Sequence, residues 1–423
     1  MLGLWSATAL VVASMIGTGV FTTSGFLIRD LGSRWQVLAV WLLGGVVALL
    51  GALSYGALAR RLPDSGGEYL FLSRTLHPAA GYVAGWVSLL AGFSAPLAAV
   101  AYGFGEYAEI WFPSVSPLLT GTLLVVAVSL VHASQVRGGA WMQNITVLIK
   151  VLLILLFIGL GLNHLPEIPS PNHVPVQIPA FAVSLVWVFF SYCGWNGAIY
   201  LGGEIAQPER NLPRALVLGT SLVTLLYLGL NAVFLFSTDT ERLSGQLAVG
   251  RIAAQALGGD GWEQALTTLI VLALVTSASA LSMAGPRVYA RMAEDGYLPS
   301  VLAAPAGPPR VAILFQMVLA LVFLWTSSYE GLLTYIGFTL GLSSAATVLG
   351  LMRWRRAEGS ALPVPGWPWV PSLFILSVLA ISGYAALQKP RESGIGLLTL
   401  GLGIGMWALT RHNRNFDVET SAN

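Results

Sequence analysis

The sequence predicts an all-α membrane protein with twelve transmembrane helices, ten of them in a five-plus-five inverted repeat and two more at the C-terminal side. Three observations predict it. Of the 423 residues 56% are hydrophobic and only 9% charged, whereas a soluble chain carries roughly 25% charged residues. The apolar residues form continuous runs of about 20, the length of a bilayer-crossing helix, not the ten-residue alternating segments of a membrane β-barrel. Two of those runs are broken by small residues at matching places, Ser14-Met15-Ile16-Gly17-Thr18-Gly19-Val20-Phe21 and Ser191-Tyr192-Cys193-Gly194-Trp195-Asn196-Gly197.

The twelve segments follow in order, separated by polar turns marked by Pro, Gly and Arg. Segment one, 4–29, holds the first break. Segment two, 36–59, stops at Arg60 and Arg61. Segment three, 80–111, carries Glu106 and Glu109 near its far end. Segment four is 117–133, and segment five, 143–162, contains the single internal cation Lys150. Segment six, 179–203, holds the second break. Segment seven, 214–236, follows Arg210 and Arg214. The longest gap, 237–263, includes Leu247 to Leu257, which reads as a short interfacial amphipathic helix. Segment eight, 264–291, ends on Arg287 and Arg291. Segment nine, 311–327, follows Arg310, and segment ten, 331–352, runs into Arg353, Arg355 and Arg356. Segments eleven, 369–387, and twelve, 394–410, flank Lys389 and Arg391.

With the N-terminus in the cytoplasm, inside ends carry fourteen arginines: those named beside segments two and seven to ten, with Arg74, Arg137, Arg411 and Arg414. Outside ends carry six cations: Arg29, Arg34, Arg242, Arg251, Lys389 and Arg391. Positive charge accumulates on the cytoplasmic side, so both termini are expected there, in a plasma (inner) membrane. No cleavable signal peptide is evident. The breaks open segments one and six. Five is odd, so the second unit enters the membrane from the opposite side, and the repeat is inverted. The expected organisation is a core over 1–356, with repeats 1–163 and 179–356, then helices eleven and twelve over 357–410 and a cytoplasmic tail, 411–423. Cys193 is the single cysteine, which excludes an intrachain disulfide and a cysteine metal cluster. The five histidines (His77, His132, His164, His173, His412) are scattered near segment ends. Neither a metal nor a cofactor is expected.

Four stretches resemble the amino acid–polyamine–organocation superfamily, whose members share the LeuT-type fold. They are Ser14 to Phe21, like S-x-I-G-x-G-I-F; Pro63-Asp64-Ser65-Gly66-Gly67-Glu68-Tyr69, like P-x-S-G-G-x-Y; Glu204 to Arg214, like E-x-x-x-P-x-R-x-x-P-R; and Gly285 to Gly296, like G-x-R-x-x-x-x-M-A-x-D-G. They cover nearly the whole chain, in order. Ser191-Tyr192-Cys193-Gly194-Trp195 is similar to the Y-D-G-W stretch of L-type amino acid transporters and bacterial exchangers, with Cys193 where Asp is usual. The resemblance implies a LeuT-type fold and amino acid transport.

An unwound helix at membrane depth is tolerated only around a cavity. An α-amino acid brings a carboxylate and an ammonium. The amides that begin a half-helix after Gly17, Thr18 and Gly19 suit the carboxylate, with the Thr18 hydroxyl beside them. Carbonyls freed at Met15, Ile16, and Ser191, Tyr192 and Cys193 suit the ammonium. The resemblance assigns these roles to the same places; the other reading is that the glycines, Gly194 included, serve tight helix packing. Trp195 either lines a side-chain pocket or packs between helices. Asn196 bonds a polar substrate or the backbone, and Cys193 is expected to line the pocket rather than act as a nucleophile.

Lys150 lies about 10 Å into segment five at 1.5 Å per residue. An intramembrane charge is a functional-site hypothesis by default, against a lysine that snorkels to water. In sodium-independent relatives a lysine at this place stands where a sodium ion would, touching helices one and eight. The resemblance carries that role to Lys150, with Ser277 as the helix-eight partner. The sequence shows no acidic residue at mid-membrane. Arg287, Arg291, Glu294 and Asp295 are expected to form a cytoplasmic network with Glu204 or Asp64. The reading is therefore a sodium-independent secondary transporter of neutral amino acids, by proton symport or exchange. Its partners are a small-molecule amino acid and the lipid bilayer, with no nucleic acid and any partner subunit unknown. The alternatives are a transporter of cationic amino acids or polyamines and an amino-acid-binding membrane sensor. An enzyme is disfavoured because no cluster of His, Asp and Glu sits at one depth.

Overall fold

The computed structural model describes residues 1–134, 140–166, 174–304, 307–359 and 362–421. Arg137 and His173 lie outside the described residues, as do the side chains of Arg411, His412 and Arg414. The architecture is all-helical. Among the described residues the extended backbone pairs only in an isolated bridge between Leu2 and Ile205.

Segment one is the bent pair α1 (Leu4–Met15) and α2 (Gly19–Leu31), set at 41° to each other. Segment two is α3 (Arg34–Arg61), started by Ser33, whose hydroxyl accepts from the amide of Gln36. A short helix, α4 (Gly67–Thr75), precedes segment three, α5 (Pro78–Ala108). Helix α5 contains a seven-residue π stretch, Ser88–Ser94. The carbonyl of Leu89 within it accepts from the hydroxyls of Ser94 and Tyr289, at 2.7 and 3.3 Å. Then come α6 (Pro117–Ala133), α7 (Ala140–Asn163) and α8 (Ile178–Tyr192). Segment six continues past its break as a 3₁₀ stretch, Gly197–Glu204, not as an α-helix.

Helix α9 (Pro208–Phe236) forms segment seven, followed by α10 (Thr240–Leu243) and α11 (Val249–Glu294). Helix α11 is broken at Gly258 and Gly259, where φ at Gly259 is +68°. The residues before that break are the short helix expected near Leu247 to Leu257, and those after it are segment eight. Helices α12 (Arg310–Thr326), α13 (Tyr329–Glu358), α14 (Trp369–Gln388) and α15 (Pro390–Ser421) complete the chain.

Among the described residues nine helices are long and apolar enough to cross a membrane, or ten with the bent pair counted as one span. The two other apolar helices, α6 and α12, have 17 residues each, the short end of the spanning range. The chain is thus an integral membrane protein.

Helix association in lipid rests on close packing of small residues rather than on a hydrophobic driving force. Helix α3 shows how. A Cβ at Gly44 would lie 2.5 Å from Val188, one at Gly45 2.4 Å from Thr224, and one at Gly56 3.1 Å from Pro213. The glycine face of α3 therefore seats directly against α8 and α9. Ion pairs mark opposite ends of the bundle. Arg29 at the end of α2 pairs with Glu330 at the start of α13 (2.9 Å), and Arg61 at the end of α3 pairs with Glu358 at the end of α13 (2.5 Å). The end of segment one and the start of segment ten thus share one side, and the ends of segments two and ten share the other. On that second side the amide of Leu2 donates to the carbonyl of Glu204, and the amide of Ala206 donates to that of Leu2 (2.8 and 2.9 Å). The start of segment one and the finish of segment six lie together.

Candidate functional site

The two breaks face each other. A Cβ at Gly19 would lie 2.3 Å from the hydroxyl of Ser191, and one at Gly194 would lie 2.4 Å from the carbonyl oxygen of Ser14. Gly194 also has φ +101°, a conformation that L side chains rarely adopt. The small residues therefore bring the break of segment six against the last turn of α1, and the start of α2 against the end of α8.

Helix α1 stops because Ile16 leaves helical geometry (φ −74°, ψ 82°). The amide of Gly17 turns back to donate to the carbonyl of Met15 (2.8 Å). Thr18 and Gly19 open α2; the amide of Phe21 donates back to the carbonyl of Thr18 (3.0 Å), and the amides before it belong to the first turn, which a helix leaves without intrahelical acceptors. The hydroxyl of Thr18 is engaged: it shares a hydrogen bond with that of Tyr329 on α13 (3.1 Å), which also meets Thr22 (2.5 Å).

The freed carbonyls are covered from three neighbouring helices. The hydroxyl of Tyr227, on α9, lies 2.6 Å from the carbonyl oxygen of Met15 and 3.0 Å from that of Ser191. The carbonyl of Ile16 accepts from Ser277 on α11 (2.9 Å) and from Lys150 on α7 (3.5 Å). Lys150 also donates to the carbonyl of Ala273 (3.4 Å). Its ammonium contacts are long for N–H···O bonds, but Lys150 is only 6% exposed. The lysine is inside the bundle, and its head group points at the break rather than at water.

On segment six the side chains spread in different directions. Ser191 donates to the carbonyl of Trp187 (3.0 Å) and shares a hydrogen bond with Thr23 (3.2 Å). Tyr192 is buried and donates to the carbonyl of Trp41 (3.0 Å). Half-buried Cys193 donates its thiol to the carbonyl of Phe189 (3.4 Å). Trp195 is buried edge-on between Tyr55 and Phe374, ring centroids 4.6 and 6.1 Å away. Asn196 donates its amide to the carboxylate of Glu68 (3.3 Å). Met15, Ile16, Gly19, Lys150, Ser191, Gly194 and Ser277 thus converge at the crossing of the breaks. Trp195 and Asn196 lie on the side toward α3 and α4.

Two features escaped sequence reasoning. Tyr227 sits in an aliphatic run with nothing to single it out. Glu68 belongs to a motif read as a loop, yet it is 3% exposed. The sequence shows no acidic residue at mid-membrane, yet this carboxyl, on the short helix between segments two and three, is buried. Its Oε1 accepts from Tyr55 (2.6 Å) and Ser344 (3.2 Å) as well as Asn196, and its Oε2 accepts from Ser343 (2.7 Å). The expected cytoplasmic network also differs. Arg291 pairs with Asp295 (3.2 Å) and Glu294 (3.9 Å), and Tyr69 donates to Asp295 (3.0 Å). Among the described residues neither Glu204 nor Asp64 joins it by an ion pair, because α4 places Tyr69 there instead.

Comparison with known proteins bears on what such a site handles. A family model described as amino acid permease matches residues 2–406. The chain is 27% identical over 429 residues to the large neutral amino acids transporter small subunit 2 of Mus musculus, covering 96% of this chain and 80% of that one. It is 28% identical over 406 residues to the mouse b(0,+)-type amino acid transporter 1, with 92% and 83% covered. It is 26% identical over 429 residues to the Asc-type amino acid transporter 1 of Homo sapiens, with 96% and 82% covered.

Proposed function

Because the chain belongs to the amino acid permease family, we propose that it is a secondary active transporter of neutral L-amino acids, sodium-independent, working by proton-coupled symport or by exchange. The observation that carries this reading is the crossing of two broken helices, where the carbonyls of Met15, Ile16 and Ser191 are met by side chains of neighbouring helices and α2 begins. The amides of α2 accept the substrate carboxylate, helped by the positive end of the half-helix. The carbonyls of Met15, Ile16 and Ser191 accept the ammonium. Tyr227 covers two of those carbonyls and gives them up when the ammonium arrives. The names of the relatives, large neutral amino acids transporter among them, support a neutral side chain.

Lys150 supplies the cation next to the first break. Its ammonium bridges segment one to segment eight through the carbonyls of Ile16 and Ala273, which makes a sodium ion at that place unnecessary. Transport then follows from rocking segments one, two, six and seven against segments three, four, eight and nine, within a ten-helix inverted repeat. Twelve spans with both termini in the cytoplasm complete the arrangement.

The test is uptake of radiolabelled neutral amino acids into proteoliposomes, with and without an inward proton gradient and with and without internal amino acid. Gradient-driven uptake identifies a symporter; uptake only against internal amino acid identifies an exchanger. Binding without flux in every condition overturns the transport reading and favours a sensor.

A further inference from the structure

Glu68 is a buried carboxyl with no cation beside it: among the described residues no ion pair involves it. A carboxylate in that situation needs either full hydrogen bonding or a proton. All four partners described above approach it as donors. Three of the four, Tyr55, Ser343 and Ser344, are hydroxyls. A hydroxyl is donor and acceptor at once and rotates to suit. The same shell that donates to a carboxylate therefore accepts from a carboxylic acid after one hydroxyl turns. A shell of arginines or backbone amides lacks that reversibility.

We propose that Glu68 is a proton-binding site of the transport cycle, loaded and unloaded as its shell parts and closes. This inference deepens the transporter reading and rests on it. The shell is divided among elements that the rocking motion moves differently. Tyr55 is on segment two and Asn196 on segment six, both in the moving bundle, whereas Ser343 and Ser344 are on segment ten. Relative motion of these elements strips donors from Glu68 and exposes it to water. The route to water is short: Glu68 is buried, yet Asp64 and Ser65, one turn before it, are exposed. Asn196 ties the carboxylate to the second break, so its charge state is felt where the substrate binds. On loading, a proton from water joins an Oε atom and the site goes from one negative charge to none; on unloading it returns to water.

The titratable groups facing Glu68 are Tyr55 from α3, and Cys193 and Tyr200 from segment six; α13 contributes the two serines. Tyr200 lies against the start of α4, where a Cβ at Gly67 would be 2.2 Å from its ring. Burial raises the carboxyl above its ordinary value, and the hydrogen bonds from Tyr55, Ser343, Ser344 and Asn196 pull it back down. Removing donors therefore raises its proton affinity further.

The experiment is infrared difference spectroscopy of the full chain in nanodiscs, titrated from about pH 5 to about pH 9, a range wide enough for a buried carboxyl. Wild type is expected to show a carboxylic-acid carbonyl band that titrates and that Glu68→Gln lacks. Ser343→Ala with Ser344→Ala keeps Glu68 and is expected to move the midpoint of that band upward by about one unit. In proteoliposomes, Glu68→Gln is expected to lose the response of amino acid uptake to a proton gradient. Identical titrating bands in wild type and Glu68→Gln, a midpoint unmoved by the double serine variant, or a gradient response surviving in Glu68→Gln overturns the proposal. The infrared arm does not depend on flux, so absence of transport in wild type overturns the transporter reading separately.

Discussion

Lys150 and Ser277 share one acceptor, the carbonyl oxygen of Ile16, with the ammonium 3.5 Å and the hydroxyl 2.9 Å from it. Side chains of segments five and eight thus both reach the residue where the first half-helix stops. Hydrogen bonds to a charged group contribute about 1.5–3 kcal/mol, and each 1.4 kcal/mol is about tenfold. Lys150→Ala is expected to lower the initial rate of amino acid uptake about tenfold to a hundredfold per reconstituted molecule. Lys150→Arg is expected not to restore it, because a planar fork does not replace a compact ammonium. Wild-type rates in Lys150→Ala would show that the lysine only stabilises the bundle.

Tyr227→Phe removes the hydroxyl that covers Met15 and Ser191. Leaving a buried acceptor unmade costs about 1–3 kcal/mol. The variant is expected to unfold at lower temperature in detergent, and a saturating neutral amino acid is expected to raise its Tm by more than it raises that of wild type. The ammonium then takes the places the hydroxyl held. Equal ligand-induced shifts in the two proteins would place the ammonium elsewhere.

Glycines at the breaks are expected to differ sharply in tolerance. Gly194→Ala forces a Cβ onto the backbone of Ser14 at a φ of +101°, whereas a Cβ at Gly17 would meet nothing nearer than 3.9 Å. Strained backbone of this kind costs on the order of 1–3 kcal/mol before the clash is counted. Gly194→Ala is expected to abolish uptake, and Gly17→Ala to keep it within about threefold of wild type. Proteoliposome flux at matched protein content decides, and equal activities would contradict the close crossing of the two breaks.

Cys193 offers a probe without background, being the single cysteine of the chain. It is half-buried beside the second break. Saturating neutral amino acid is expected to slow its labelling by a small uncharged thiol reagent several-fold. A non-substrate of similar size, such as a D-amino acid that fails to bind, is expected to leave the rate unchanged. Labelling insensitive to every amino acid would put the substrate away from this break.

The elements were legible because each announces itself locally. Pro117 at the start of α6, Ser33 before α3 and the glycines around Met15 and Gly194 act within a few residues of where they stand in the chain. The convergence of the two breaks was legible too, since matched interruptions in long apolar runs have few uses. What stayed hidden depends on partners far away in sequence. Ser343 is 275 residues from Glu68, and Tyr227 is 212 from Met15. No periodicity reports such pairings, and a glutamate following two glycines reads as a solvated turn until α4 carries it inward. At the end of segment eight the grouping of Arg291 with Glu294 and Asp295 was legible, and only its extension to Glu204 or Asp64 was not found among the described residues. Arg291 has Asp295 one turn away on its own helix, and that local pair prevails over a reach to Asp64.

The π stretch at Ser88–Ser94 has a consequence for helix α5 as a whole. A π turn lodges about one residue more than an α turn, roughly 100° of rotation, so the two halves of α5 run out of phase. The later half is the one that meets α2. A Cβ at Gly103 would lie 2.3 Å from the Thr18 hydroxyl, and Tyr107 donates to the carbonyl of Phe21 at 2.6 Å. Excising a single residue from the stretch would restore a uniform screw and swing both residues off α2, though neither had been altered. The identity of the surface that segment three offers to segment one is thus written upstream, in how the backbone is wound, and not only in the side chains that touch.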